Sequence, residues 1–93
     1  MNRLINVGFG NVINSSKIVS IISPDAAPIK RMVQTAKDTG MAIDATCGRR
    51  TKAVIVTDSG HLILSSLLPD TITSRVNQFY DENQELNSNK HFQ

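Results

Sequence analysis

The sequence has few of the residues that mark membrane, disulfide-rich or aromatic-stacking proteins. It contains one cysteine and no tryptophan in 93 residues, and only 4% of the residues are aromatic. A single cysteine excludes an internal disulfide and fits a reducing compartment. No apolar run approaches the roughly 18 residues that a membrane span needs, and residues 1–6 are too polar for the apolar region of a signal peptide. We therefore expect a cytoplasmic protein without a membrane partner and with little capacity for stacking single-stranded bases.

The length and composition are those of one small globular domain. Hydrophobic residues make up 40% of the chain and charged residues 19%, which is a folded and not a disordered balance. A chain of this size buries a thin core, so oligomerisation would add stability. Residues 81–93 are polar, rich in Asn and Gln, and without periodicity. The sequence predicts a domain over residues 1–80 and a disordered tail over residues 81–93.

The charges are distributed unevenly along the chain. Residues 1–57 carry eight Lys and Arg against three acids, whereas residues 58–93 carry two against five. The overall net charge of +2 therefore combines a half of +5 with a half of −3. A basic half on a small domain favours a polyanionic partner, although ordinary solvated charge gives the same count.

Hydrophobic periodicity predicts an α+β fold, a small and mostly antiparallel sheet with two helices packed on one side. Asp58-Ser59-Gly60 separates two apolar runs and predicts a hairpin. A helix is expected to start between Ser23, as its capping residue, and Pro28, and to stop at Gly40. The apolar stripe of this helix consists of Ile29, Met32, Val33 and Ala36. Strands are predicted over residues 4–7, 18–22 (buried), 41–46, 53–57 and 61–65. A second helix is predicted to begin at Pro69, with Ile72, Val76 and Phe79 on one face.

No motif points to catalysis, a metal or a cofactor. Asp58, His61 and Ser65 are the nearest approach to a triad, but His61 and Ser65 on one strand would be roughly 13 Å apart. Cys47 has no cysteine or histidine nearby, so a zinc site is not indicated. The pair of glycines around Phe9 lacks the third glycine of a dinucleotide fingerprint and is more typical of a tight turn. We expect no enzyme activity, no cofactor, no metal and no small-molecule ligand.

A basic loop is the one segment whose chemistry suggests binding. Gly48-Arg49-Arg50-Thr51-Lys52 places three cations and a hydroxyl in a glycine-led loop directly before an apolar strand. Arginine forms paired hydrogen bonds with phosphate or guanine, and threonine adds a neutral phosphate donor. Such a loop can also be plain solvated surface. Three further cations would extend it if the fold brought them together, namely Lys17, Lys30 and Arg31.

Two blocks of the chain resemble the RemA family, small bacterial regulators of extracellular-matrix (biofilm) genes. One block is S-P-D-A-A-P-I-K-R from Ser23, and the other is D-A-T-C-G-R-R-T-K-A-V-I from Asp44. The likeness begins near Asn6 and ends near Asn77. It implies a transcription factor that binds double-stranded DNA and assembles into a ring-like homo-oligomer. The regulated genes do not carry over from the family.

The resemblance also implies site residues. It assigns DNA binding to Arg49 and Arg50, together with a family arginine at the position where this chain has Lys17. Lysine keeps the charge but loses the planar fork of arginine. Cys47 and Lys52 are further departures, from an aromatic residue and from arginine. A repeated basic loop around a closed oligomer would raise affinity without any new type of contact. The alternative is an oligomeric protein-interaction or scaffold module that binds no nucleic acid.

Overall fold

A computed structural model describes residues 3–78 and has a single α+β domain with two helices, as predicted. The predicted boundary at residue 80, the side chain of Phe79 and the predicted tail over 81–93 lie outside the described residues. In chain order the elements are β1 (Leu4–Asn6), β2 (Val12–Asn14), a short 3-10 helix (Ser15–Lys17), β3 (Ile18–Ile22), α1 (Ala27–Asp38), β4 (Ala42–Asp44), β5 (Ala53–Thr57), β6 (Leu62–Ser65) and α2 (residues 69–78).

The strands form two sheets that are mostly antiparallel. Strands β1 and β2 pair with each other, and the other four form a sheet in the order β3-β5-β6-β4. Among the strands within residues 3–78, only the pair of β4 with β6 is parallel. The prediction of a mostly antiparallel arrangement is confirmed, but β2 and the parallel pairing were not predicted. The termini of β4 and β5 at one end of the larger sheet position the basic loop.

The predicted hairpin of β5 and β6 forms the centre of this sheet. Val56 pairs with Leu62, and the turn between the strands contains Gly60 at φ +86°. A positive φ is readily adopted by glycine because it has no Cβ. Ile55 and Leu64 are fully buried, and burial of each such side chain stabilises the fold by about 1.5–3 kcal/mol relative to exposure.

Helix α1 has the predicted apolar stripe but not the predicted cap. Ala36 is buried, and Ile29 and its stripe neighbours pack on the same cluster. The helix begins at Ala27 after Ala26, which supplies no side-chain cap. The Ser23 hydroxyl instead donates to the Asp25 carboxylate at 3.1 Å, so the prediction that Ser23 caps the helix is wrong. The predicted stop is confirmed, with Gly40 in the left-handed region directly after the C-cap.

The two helices lie on opposite faces of the sheet. Helix α1 packs over one face, against Val54, Leu62 and Leu64. Ile72 of α2 packs with Ile5 and the residues of the opposite face. The prediction that both helices pack on one side is therefore wrong. The physical reason is that β5 and β6 are apolar on both faces, so the sheet needs a cover on each side.

Strand β3 is an edge strand and is less buried than expected. Its predicted range is confirmed, but none of its residues is buried, because it has a partner on one side only. The register shifts between Ile18 and Ser20, which leaves Val19 as a bulge residue with 64% of its surface exposed. At the other edge, Ile43 of β4 is 48% exposed. Both edges of the sheet thus carry an exposed aliphatic side chain.

Candidate nucleic-acid interface

The basic loop between β4 and β5 has a defined conformation at both ends. Its first turn is closed by the Asp44 carboxylate, which accepts hydrogen bonds from the backbone N–H of Thr46 at 2.8 Å and from its hydroxyl at 2.6 Å. The Arg49 N–H donates to the Thr46 carbonyl at 3.0 Å, and the Lys52 N–H donates to the Ser65 carbonyl at 2.8 Å. The loop is therefore tied to its own strand and to β6.

The turn inside this loop uses left-handed backbone. Cys47 has φ 55° and Gly48 has φ 81°. These two residues form the turn that leads from the buried Thr46 to the exposed Arg49 and Arg50. Gly48, the first residue of the basic loop, therefore allows the left-handed turn.

The β1–β2 turn lies beside the basic loop. It contains Gly8-Phe9-Gly10, as the sequence predicted for a tight turn. A Cβ on Gly8 would lie 3.7 Å from the Ala45 carbonyl oxygen, at the start of the basic loop. The Arg49 guanidinium lies over the Phe9 ring, 5.3 Å from the ring centroid. The sequence did not predict this contact, because the two turns are 40 residues apart.

Cations from the loop and from α1 converge around two grooves. One groove, of about 590 Å³, is bordered by Phe9, Arg49, Arg50 and Lys52. The other, of about 330 Å³, lies between the loop and α1 and is lined by Arg50 and Thr51 with two lysines of the helix. Arg50 borders both grooves, so they form one surface, which we call the basic face. Its cations are Lys30, Lys37, Arg49, Arg50 and Lys52.

Lys37 belongs to the basic face although the sequence did not single it out. It lies seven residues after Lys30, and this spacing returns to the same side of a helix. That periodicity was the available signal. Arg31 is also exposed but lies about 100° around the helix from Lys30 and lines neither groove. Of the two α1 cations that the sequence offered, the fold places Lys30 on the basic face, and a DNA contact by Arg31 stays a prediction.

Lys17 lies at the other end of β5. Its ammonium is 3.8 Å from the Asp58 carboxylate, and its backbone carbonyl accepts from the Asp58 N–H. Lys52 and Asp58 flank the two ends of β5, which separates them by about 20 Å at 3.3 Å per residue. The fold does not bring Lys17 to the loop within one copy, because β3 runs antiparallel to β5 and begins at the far end. Its assignment to DNA binding stays a prediction.

The acidic residues near the basic face offset only part of its positive charge. Asp25 lines the groove between α1 and the loop and accepts the hydrogen bond of Ser23. The Asp44 carboxylate accepts two hydrogen bonds from Thr46. Hydrogen bonds from the Thr46 hydroxyl and N–H lower the pKa of Asp44 below its ordinary value of 3.8, and Lys37 lowers it further. The five cations therefore outnumber the carboxylates on this surface.

The residues considered for catalysis are not assembled into a triad. The Ser65 hydroxyl is buried and donates to the Val7 carbonyl at 2.7 Å. His61 instead bonds to Ser59, whose hydroxyl lies 2.7 Å from Nδ1. Within residues 3–78, no cluster of three or more His, Cys, Asp or Glu could hold a metal ion. In the same range, no helix has the length and apolar character of a membrane span.

The lowered pKa of Asp44 gives a prediction for acid stability. The folded state favours the carboxylate, so this group stabilises the fold above its ordinary pKa and loses that contribution as the pH falls through the lowered value. We expect the melting temperature of the wild type to fall more between about pH 5 and about pH 2 than that of Asp44→Asn. Thermal unfolding of both proteins across this range is the measurement. An identical pH dependence would contradict a bond between Thr46 and the ionised Asp44.

Known proteins that are similar to the chain show its family. The model of a family described as RemA-like, extracellular matrix regulatory protein A-like, matches residues 4–76. A protein of Lachnoclostridium phytofermentans is 58% identical over 93 residues, covering 100% of this chain and 98% of its own length. One of Alkaliphilus metalliredigens is 57% identical over 84 residues (90% and 89%), and one of Heliobacterium modesticaldum is 60% identical over 74 residues (80% and 81%). All three bear the name "Putative regulatory protein".

Proposed function

The chain belongs to the RemA-like family, and from that premise we propose that it is an oligomeric transcriptional regulator that binds double-stranded DNA through its basic face. The observation that carries the proposal is the position of Arg50, where cations of the loop and of α1 converge. The phosphate backbone of DNA attracts such a surface whatever the base sequence. Arginine and threonine side chains supply hydrogen-bond donors for the phosphates. The place of action of such a regulator is the cytoplasm.

One copy of the basic face would bind DNA weakly. Its five cations can neutralise at most five phosphates, and each contributes about 0.9 to the slope of log affinity against log salt. A slope of about −4.5 is therefore the limit for one basic face. Repetition of the face around a closed homo-oligomer multiplies the contacts and the affinity. The proposal thus combines DNA binding with self-assembly.

Exposed aliphatic residues support self-assembly. Val19 and Ile43 lie on the two opposite edge strands of the larger sheet, and Leu4 and Val12 are exposed on the β1–β2 hairpin at 68% and 54%. A ring uses two different surfaces of each copy, one for each neighbour. Opposite edges of one sheet meet that requirement, because the edge of one copy can face the other edge of the next.

Titration of a labelled duplex with the purified protein at several salt concentrations tests the function. The proposal predicts tight binding at low salt and a slope steeper than about −6.3, the limit for one copy when Lys17 and Arg31 are counted with the five cations of the basic face, since more than one copy contacts the duplex. The alternative function is an oligomeric scaffold that binds other proteins and no nucleic acid. It predicts an assembly of the same size that fails to bind the duplex even at low salt, and that result would exclude the DNA-binding function.

Lys17 has a separate role in this proposal. It lies away from the basic face of its own copy. In an assembly it would therefore contact the stretch of DNA that lies between the basic faces of two neighbouring copies. Arg31, exposed beside Lys30 on α1, is included as a peripheral phosphate contact, and Thr51 as a neutral donor.

Substitution of Lys17 tests this assignment. We expect Lys17→Ala to reduce the salt slope by about 0.9 for each copy that contacts the duplex, and Lys17→Arg to bind at least as tightly as the wild type. The measurement is the same duplex titration. Because the bond of Lys17 to Asp58 joins two exposed side chains, it adds little stability, and both variants should fold. An unchanged slope for Lys17→Ala would remove Lys17 from the interface.

A further inference from the structure

Phe9 has an unusual backbone conformation and an unusual exposure. Its φ is 53°, in the left-handed region, and half of its surface is exposed. An aromatic residue rarely adopts this conformation, because its Cβ crowds the backbone, and rarely leaves its ring in water. Strain of this kind persists only where the surrounding structure enforces it.

The surrounding structure does enforce the turn. The Asn6 carboxamide oxygen accepts from the Gly8 N–H at 2.7 Å, and Asn11 donates to the Gly8 carbonyl from both its backbone and its side chain. The Ser65 hydroxyl holds the Val7 carbonyl from the end of β6. The turn therefore presents Phe9 in a fixed position on the surface.

That position is under Arg49. The guanidinium lies 5.3 Å from the ring centroid, within the range in which the ring quadrupole attracts a cation. Stacking uses the face of the guanidinium and leaves its N–H groups, which lie in its plane, available for a phosphate. The same ring borders the groove that Arg50 and Lys52 line.

We propose that Phe9 is a positioning residue for DNA binding, which stacks on Arg49 and holds its guanidinium at the mouth of the groove in the orientation that receives a phosphate. The inference rests on the proposed function, because the phosphate is that of the duplex. An arginine held in place loses less conformational freedom on binding than a free one. The strained turn thus serves the affinity of the basic loop.

Two substitutions of Phe9 separate the ring from the turn. Phe9→Asn removes the ring but suits the left-handed backbone, so the fold should be retained. Phe9→Tyr keeps the ring. We expect Phe9→Asn to weaken duplex binding about two- to fivefold, because the order that Phe9 imposes on Arg49 is limited by the strength of a cation–π contact at an exposed site. We expect Phe9→Tyr to bind like the wild type.

The same substitution in two arginine variants identifies the partner. In Arg50→Ala, Phe9→Asn should cause its full loss of affinity, whereas in Arg49→Ala it should cause none. The Arg49 side-chain proton resonances of the free protein should lose the upfield ring-current shift in Phe9→Asn and keep it in Phe9→Tyr. These spectra report the stacking without DNA.

The outcomes distinguish this inference from the function on which it rests. A wild type that fails to bind the duplex overturns both, even if the ring-current shift is present. A wild type that binds, with equal losses for Phe9→Asn in the Arg49→Ala and Arg50→Ala backgrounds, overturns the role of Phe9 and leaves the proposed function in place. Failure of Phe9→Tyr to retain affinity has the same meaning.

Discussion

Replacement of both Arg49 and Arg50 by alanine is expected to reduce duplex affinity by more than about a hundredfold at near-physiological salt. The variant removes two of the five cations of the basic face, and it removes them from every copy that contacts the duplex. Arg50 borders both grooves, and the Arg49 guanidinium lies over the Phe9 ring. Both side chains are exposed, so their loss leaves no buried cavity and the fold should be unaffected.

Fluorescence titration with a labelled duplex, together with the mass of the native assembly, measures this effect. The mass should equal that of the wild type, while the salt slope should decrease by about 1.8 for each contacting copy. The matched control is Arg49→Lys/Arg50→Lys, which retains the charges and loses the planar forks. It should bind with intermediate affinity and a nearly unchanged slope. If the alanine variant binds with the slope of the wild type, the DNA site lies elsewhere.

The second large effect is expected from disruption of the assembly. Val19→Glu/Ile43→Glu puts a carboxylate on the exposed aliphatic position of each edge strand. Burial of an unpaired carboxylate in an interface is strongly unfavourable, so the variant should have the 10.2 kDa mass of a single chain. Its duplex affinity should fall about 10²- to 10⁴-fold, because a lone basic face has lost the avidity of the ring.

Light scattering and the duplex titration give the two readouts. Thr73→Glu/Gln78→Glu is the matched control, since it adds the same two charges at exposed polar positions of α2. The control should keep the assembly and lose only the small amount of affinity that added negative charge causes. An assembly of unchanged mass in Val19→Glu/Ile43→Glu would show that the edges of the sheet are not the interface.

The parts of the fold that depend on local sequence were predictable. Helix α1 follows from the spacing of its apolar stripe, and the β5–β6 hairpin follows from two apolar runs around a turn with Gly60. Strand β2 was missed because Val12–Asn14, with three residues, is too short to have a pattern of its own, and it pairs with β1. The parallel pairing of β4 with β6 joins segments that have β5 between them in the chain.

The placement of the helices and of β3 depended on tertiary packing. A helical stripe such as that of Ile72 and Val76 indicates that one face is buried, but not which face of the sheet buries it. Similarly, five residues of β-branched and small character predict the strand Ile18–Ile22, but not whether it is central or at an edge. Its edge position explains why it is only partly buried.

Of the candidate site, the sequence predicted the basic loop but not how residues of other segments pack around it. The residue types of Gly48 to Lys52 indicated phosphate binding, and the resemblance to the family pointed to the same loop. Lys17 was grouped with the loop from its charge and from the resemblance to the family, but the antiparallel register of β3 with β5 places it at the far end of the strand. The contact of Phe9 with Arg49 and the inclusion of Lys37 depend on how distant segments pack, and composition does not report that.

The mass of the native assembly, measured with and without a short duplex, tests the central claim most directly. We expect a mass that is a multiple of 10.2 kDa without DNA, and an increase by the mass of bound duplex when DNA is added at low salt. The variant Arg49→Ala/Arg50→Ala should have the same mass as the wild type without DNA and should show no increase when the duplex is added. A single chain in solution, or an assembly whose mass does not change with duplex at low salt, would contradict the account.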